Sequence, residues 1–199
     1  MRTKLYLIWI MLLLIACGPS TRIVNSWRDP EVTVNTAELN KFMVAALLRD
    51  EATRRTVEDQ MASQFPGKAV QSYNVLGMGE LKENDDYYNA QFKSQGFDGI
   101  VIMRFVRVEQ EARWVPTSFP SYYMGWRGYY GFAWTTWHNP GYITIDRTYY
   151  VEVNVYSFQR NKLIWSGITS TFNPSSQTRL FNNVISAVTR KMKEQGFLK

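Results

Sequence analysis

Side-chain chemistry needs a nucleophile, a base or a cluster of metal ligands, and this sequence offers few. His138 is the only histidine. Its neighbours Trp137, Asn139 and Pro140 bring neither an acid nor a nucleophile at a recognised spacing. A single histidine without thiolates or carboxylates beside it does not make a zinc site. Glu83, Asp85 and Asp86 mimic half of a calcium loop but lack that motif's glycine and terminal glutamate. Acids at a helix start, where the dipole favours them, are the simpler reading. Gly77-Met78-Gly79 has neither the third glycine nor the Lys-Thr pair of a phosphate loop, so it reads as a turn. No Gly-x-Ser-x-Gly elbow occurs, and Ser166 falls inside a strand pattern. Carboxylate pairs of the glycosidase kind are spatial rather than sequential, so an envelope hydrolase acting on glycan or peptidoglycan stays as an alternative. The expectation is no catalytic residue, no metal and no cofactor.

The one reactive group that spacing singles out is the thiol of Cys17, the only cysteine of the 199 residues. Arg2 and Lys4 precede an apolar run from Leu5 to Ile15, and Leu14-Ile15-Ala16-Cys17 follows. A charged start, about a dozen apolar residues and a small residue before the cut describe an export signal. Leu three places before the cysteine and Ala directly before it resemble the bacterial lipobox, with Ile15 a less usual middle residue. On this reading residues 1–16 are a signal peptide and the Cys17 sulfur carries a covalent diacylglycerol. Each buried methylene contributes roughly 0.8 kcal/mol, and two or more chains make anchoring stable. Gly18, rather than Asp, follows the cysteine, which points to the outer membrane and a periplasm-facing domain. An exported chain with no second cysteine has no internal disulfide, so its core must hold by packing alone.

The formal charge of +6 loses two units with Arg2 and Lys4. The remaining basic residues are scattered singly among acids, which argues against nucleic acid as a partner. The expected partners are the membrane, through the lipid, and an envelope protein or glycan.

The elements that must position any site follow from the apolar spacing. Residues 17–40 read as a lipidated N-terminus and tether from which Trp27 docks, and 41–199 as a single compact α/β (α+β) domain. Phe42 to Leu48 is apolar on both faces, as in a central strand covered on both sides. Asp50 reads as a helix cap. Val57, Met61 and Phe65 form the stripe of that helix, with Arg54, Arg55, Glu58 and Asp59 off it. Ala69 to Leu76 reads as a strand near an edge, and Glu83 to Gln95 as a helix closed by Gly96. Ile100 to Val108 is the strongest strand signal.

Tyr149, Val151, Val153 and Val155 alternate with Tyr150, Glu152, Asn154 and Tyr156, the period of a strand with two unlike faces. Leu163 to Ile168 completes a hairpin with it, with a bulge expected at Gly167. Leu180, Val184, Ile185, Val188 and Met192 stripe a last helix. Asn173 or a following serine should cap it, Pro174 should lie in its first turn, and Gly196 should end it. Together these give a mixed five-stranded sheet packed by about three helices, with its first three strands parallel through right-handed crossovers.

An insert of about 114–142 lies between strands 3 and 4. Phe119, Tyr122, Tyr123, Trp126, Tyr129, Tyr130, Phe132, Trp134, Trp137 and Tyr142 crowd into it, in a chain that is 15% aromatic overall. Gly125, Gly128, Gly131, Gly141, Pro120 and Pro140 argue against a regular helix or a long strand there. Three readings stay open. The rings pack into an Ω-like flap; they form a protein contact or self-association surface, as in a structural lipoprotein; or they stack on glycans or enter a lipid interface. Tyr122, Tyr123, Trp126, Tyr129, Tyr130, Trp134 and Trp137 are the candidate binding residues.

Trp27-Arg28-Asp29-Pro30, Glu51, Ser72-Tyr73, Gly96-Phe97-Asp98-Gly99-Ile100, Glu152-Val153-Asn154-Val155-Tyr156 and Lys162-Leu163-Ile164-Trp165-Ser166-Gly167 form a set that spans nearly the whole chain after the signal. In these segments and in its aromatic, glycine-biased insert, the chain resembles the bacterial lipoprotein family of domain of unknown function 4136. The resemblance implies an envelope lipoprotein with a compact α/β fold, and it transfers no catalytic residue.

Overall fold

The computed structural model describes residues 21–76, 84–116, 126–138 and 141–199. Val108–Thr148 forms a compact unit of its own, and the rest of the chain forms another. The elements run β1 (Thr21–Arg28), β2 (Lys41–Leu47), α1 (Glu51–Ser63), β3 (Ala69–Gln71), α2 (Asp85–Ser94), β4 (Phe97–Pro116), α3 (Trp126–His138), β5 (Gly141–Ser157), β6 (Lys162–Phe172) and α4 (Gln177–Glu194). The fold is mixed α+β. Six strands form one sheet in the order β1-β6-β5-β4-β2-β3. β2 pairs in parallel with both β3 and β4, as the crossover argument requires, and β1 lies antiparallel to β6.

One face of the sheet makes the main core. Phe42, Val44 and Ala46 of β2, Val151 and Val153 of β5, and Trp165 of β6 pack against Val57 and Met61 of α1 and Leu180, Val184, Val188 and Met192 of α4. On the other side, Met43 packs with Phe92 of α2, Phe97 and Phe158. This two-sided cover explains the unbroken apolar run of β2, although β2 lies next to the edge strand β3 rather than at the centre.

The caps show why the helices start where they do. Asp50 accepts from the Thr53 N–H at 2.7 Å, and Asn84 accepts from the Tyr87 N–H at 2.9 Å. Ser176 accepts from the Arg179 N–H at 3.1 Å. The cap of α4 is therefore Ser176, and Pro174 precedes the helix instead of lying in its first turn. Gly96 and Gly196, at φ 82° and 65°, end α2 and α4 in the left-handed conformation.

Several expectations change. Six strands and four α-helices stand among the described residues, against five and about three. The extra strand is β1, within the segment read as tether. Its alternation is hidden because the register against β6 shifts between Ile23 and Asn25, which reverses the side-chain faces mid-strand. Polar bonds hold it. The Thr21 and Thr171 hydroxyls lie 2.7 Å apart in the core. Trp165 donates its indole N–H to Gln195, which donates in turn to the Ser26 hydroxyl. Trp27 itself is half exposed rather than docked. Gly167 lies in register with Ser26 across the β1–β6 pairing. It is glycine because a Cβ there would come within 2.3 Å of the Trp165 ring.

The edge strand is also shorter than its pattern, because β3 ends at Gln71 and Ser72–Asn74 turns as a 3-10 helix. Glu58, read as an off-stripe residue of α1, is fully buried there. Its carboxylate accepts from the Ala46 N–H at 3.0 Å, the Ser72 hydroxyl at 2.7 Å, the Tyr73 N–H at 3.2 Å and the Arg54 guanidinium at 3.2 Å. The Val44↔Gln71 pair ends the β2–β3 ladder. Ala46 therefore has no strand to donate to, and Glu58 takes the place of the missing carbonyl.

Candidate functional site

The candidate binding residues concentrate in the second unit. β4 continues to Pro116 and β5 begins at Gly141, well past the limits that apolar alternation suggests. Polar bonds secure this extension: Arg113 pairs with Asp146 at 3.0 Å, and the Thr144 hydroxyl donates to the Arg113 carbonyl at 3.3 Å. Between these strands stands α3, where the sequence argued against a helix. Pro120 and Pro140 both fall outside 126–138. Gly128 and Gly131 inside it each cost about 1 kcal/mol relative to Ala, which weakens a helix without forbidding it. The unit also exceeds the expected insert, spanning Val108–Thr148.

At 100° per residue, Trp126, Tyr130, Trp134 and Trp137 fall within about 80° of arc on α3, a single stripe roughly 17 Å long. Trp126 is 79% exposed, Tyr130 67%, Trp134 62% and Trp137 82%; Tyr129, on the flank, is 57% exposed. Gly128 lies about 160° from the middle of the stripe and Gly131 about 100°. The described residues of the helix are exposed all round, and the stripe is where its large rings gather. Each such ring offers on the order of 150 Å² or more, so the stripe rivals the largest apolar patch of a typical monomer, about 300–600 Å². Trp114, Tyr142, Ile143 and Ile145 of the same unit are also more than half exposed. These exposed rings run against the flap reading. Tyr122, Tyr123 and Cys17 lie outside the described residues, as do Gly77-Met78-Gly79 and Glu83.

His138 ends the helix on the surface. Its Nδ1 donates to the Trp134 carbonyl at 2.9 Å, and its ring lies 4.9 Å from that of Trp134. It thus has a local partner within its own helix. Ser166 sits in β6 opposite Trp27. Asp85 and Asp86 occupy the first turn of α2, and Asp86 accepts from Asn161 at 2.8 Å. Among the described residues no group of three or more His, Cys, Asp or Glu gathers in metal-binding geometry.

The first unit also holds a feature that no local pattern announces. A cavity of about 310 Å³ lies among Val34, Leu39, Phe42, Phe65, Val101 and Met192, with Glu38, Asp98 and Arg160 also contributing. Its two carboxylates have partners of their own, Glu38 in a local turn and Asp98 on the loop before β2. Glu38 accepts from Asn35 at 2.7 Å, and Asp98 accepts from the Asn40 N–H at 2.7 Å. The C-terminal tail helps enclose it, because Val34 donates to Phe197 O at 2.7 Å and accepts from the Lys199 N–H at 3.0 Å. Such a space suits a small apolar molecule better than hydrolytic chemistry.

Asp29, just past the end of β1, is a buried acid held by two partners. It pairs with Lys162 at 2.6 Å and accepts from the Glu31 N–H at 3.0 Å, and both contacts hold its carboxyl below the ordinary value. In contrast, the Tyr73 hydroxyl is pushed up, chiefly because it donates to Asp59 at 2.6 Å.

These features define a mixed α+β domain with an exposed aromatic helix and no assembled catalytic group among the described residues. No family model matches the chain, and no curated protein does. Among solved structures it is similar to the PelC dodecamer of Paraburkholderia phytofirmans, at 8% identity and TM-score 0.42, over 84% of this chain and 93% of that one. A point variant of that dodecamer gives 6% identity and TM-score 0.43, over 83% and 95% of the two chains. The lipoprotein GNA1162 of Neisseria meningitidis gives 11% identity and TM-score 0.38, over 77% and 98%.

Proposed function

We propose that this chain is a bacterial cell-envelope lipoprotein of the kind it resembles, domain of unknown function 4136. On this reading it is anchored by acyl chains on Cys17, lies on the periplasmic side of the outer membrane, and binds or scaffolds an envelope component without catalysing a reaction. The stripe Trp126, Tyr130, Trp134 and Trp137 is the observation that carries the binding reading. Rings that stabilise no core have their use in a contact made elsewhere, and Trp and Tyr supply large rigid area with a polar handle.

The test places a photoreactive residue at Tyr130 in cells and compares crosslinked species with and without Trp126, Tyr129, Trp134 and Trp137 replaced by serine. Loss of the crosslinked species with the fold intact is the expected result. An unchanged crosslink pattern in a folded variant would refute the contact role. Anchoring has a separate test. Cys17→Ala should abolish incorporation of labelled fatty acid, and label retained by that variant would remove the anchor from the proposal.

A further inference from the structure

We infer that the surface met by α3 is the lipid–water interface of a bilayer, with the helix lying in the interfacial plane and its four-ring stripe among the headgroups. The inference rests on the contact role proposed for α3 and names its partner. Three observations favour lipid over a protein.

The first is charge. From Trp114 to Ile145 the sequence contains no Asp or Glu, and Arg127 is its one fixed charge. Protein recognition surfaces set register with charges of both signs around an apolar centre. A stretch with a lone cation, set beside the stripe at about 100° of arc from Trp126, complements anionic headgroups instead. The second is ring type. The stripe contains only Trp and Tyr, the residues that concentrate where a membrane meets water, because each joins an apolar body to a hydrogen-bonding tip. No described helix is long and apolar enough to cross a membrane, so a helix of this length enters the interface or stays out of it.

The third is reach. β1 begins at Thr21, only four residues after Cys17, and four residues span at most about 14 Å. An acylated Cys17 would therefore hold the start of the folded chain close to a bilayer surface.

The experiment uses the full chain in vesicles of phosphatidylethanolamine and phosphatidylglycerol whose acyl chains carry bromine near the headgroup. Three of the six tryptophans after residue 16 are Trp126, Trp134 and Trp137. Quenching of roughly half the tryptophan emission is expected, and it should largely disappear in W126S/Y130S/W134S/W137S. The milder W126S/W137S should lose an intermediate share, which keeps the test informative if the fourfold variant folds poorly. Equal quenching in wild type and variants would overturn the inference. So would absent quenching alongside a Tyr130 photocrosslink to a second copy or another protein, an outcome that leaves the contact role standing. Absent quenching without any crosslink would remove the contact role as well.

Discussion

Helices α3 and α4 both carry apolar residues at three- and four-residue spacing, yet their stripes meet opposite environments. On α4, Leu180, Val184, Val188 and Met192 are buried against the sheet, whereas on α3 Trp126, Tyr130, Trp134 and Trp137 face outward. The contrast separates two reasons for a residue to be apolar. The side chains of α4 are branched or flexible and fill a core at close packing. The α3 stripe consists of rigid amphipathic rings that belong to neither core among the described residues. Periodicity reports that a face is apolar, while the kind of apolar residue hints at what covers it.

Substitutions sharpen this comparison by their size. Glu58→Ala in the first unit should have the largest effect, because it leaves Arg54 without its buried partner and strands the Ala46 and Tyr73 amides. A loss of about 3–5 kcal/mol is expected from urea unfolding. Trp165→Ala should cost a similar amount, about 3–5 kcal/mol, by emptying the space between β6 and α4. Wild-type stability of the Trp165 variant would show that β6 and α4 do not act as one core, and of the Glu58 variant that its carboxylate does not hold α1 to the end of the β2–β3 pairing.

Removing the α4 cap with Ser176→Ala should cost about 1 kcal/mol, read as a shift in the urea midpoint. Acid is expected to act through Asp29. Its folded carboxyl titrates below the ordinary value of 3.8. Its contribution is therefore fully present above that value and fades as pH falls through the lower folded one. Asp29→Asn should lower stability at neutral pH, where that contribution is present, change little in acid, and so flatten the acid end of the profile. The smallest effect belongs to the α3 stripe. Each serine replacement should move stability by no more than about 0.5 kcal/mol. A large destabilisation there would mean that the rings pack within the fold after all, and the contrast between the two helices would vanish.

Much of the first unit was legible because its signals are local. The α4 stripe, the alternation of β5 and the two-faced apolar run of β2 each follow from a period, and Asp50 and Gly96 end their elements as their chemistry suggests. β1 was hidden because a register shift breaks its alternation and because its stabilising bonds come from Thr171 and Gln195, far along the chain. Helix α3 is hidden because glycine and proline are dense across the insert as a whole, while both prolines lie outside 126–138. Glu58 was unreadable for a related reason. Its partners Ala46, Ser72 and Tyr73 are brought to it by the end of a strand pairing that no local pattern announces. The aromatic candidates were found by composition alone, and the backbone that aligns four of them in one stripe was not.

Glu58 also has a consequence in time. The Ala46 and Tyr73 amides, 12 and 15 residues from it in sequence, end on one carboxylate, so neither has a carbonyl ladder of its own to shelter it. In deuterated water their protons should be lost together, at the pace of whatever opening frees that carboxylate, although the two sites belong to different elements. One acid side chain thereby sets a common clock for a strand, a helix and a turn.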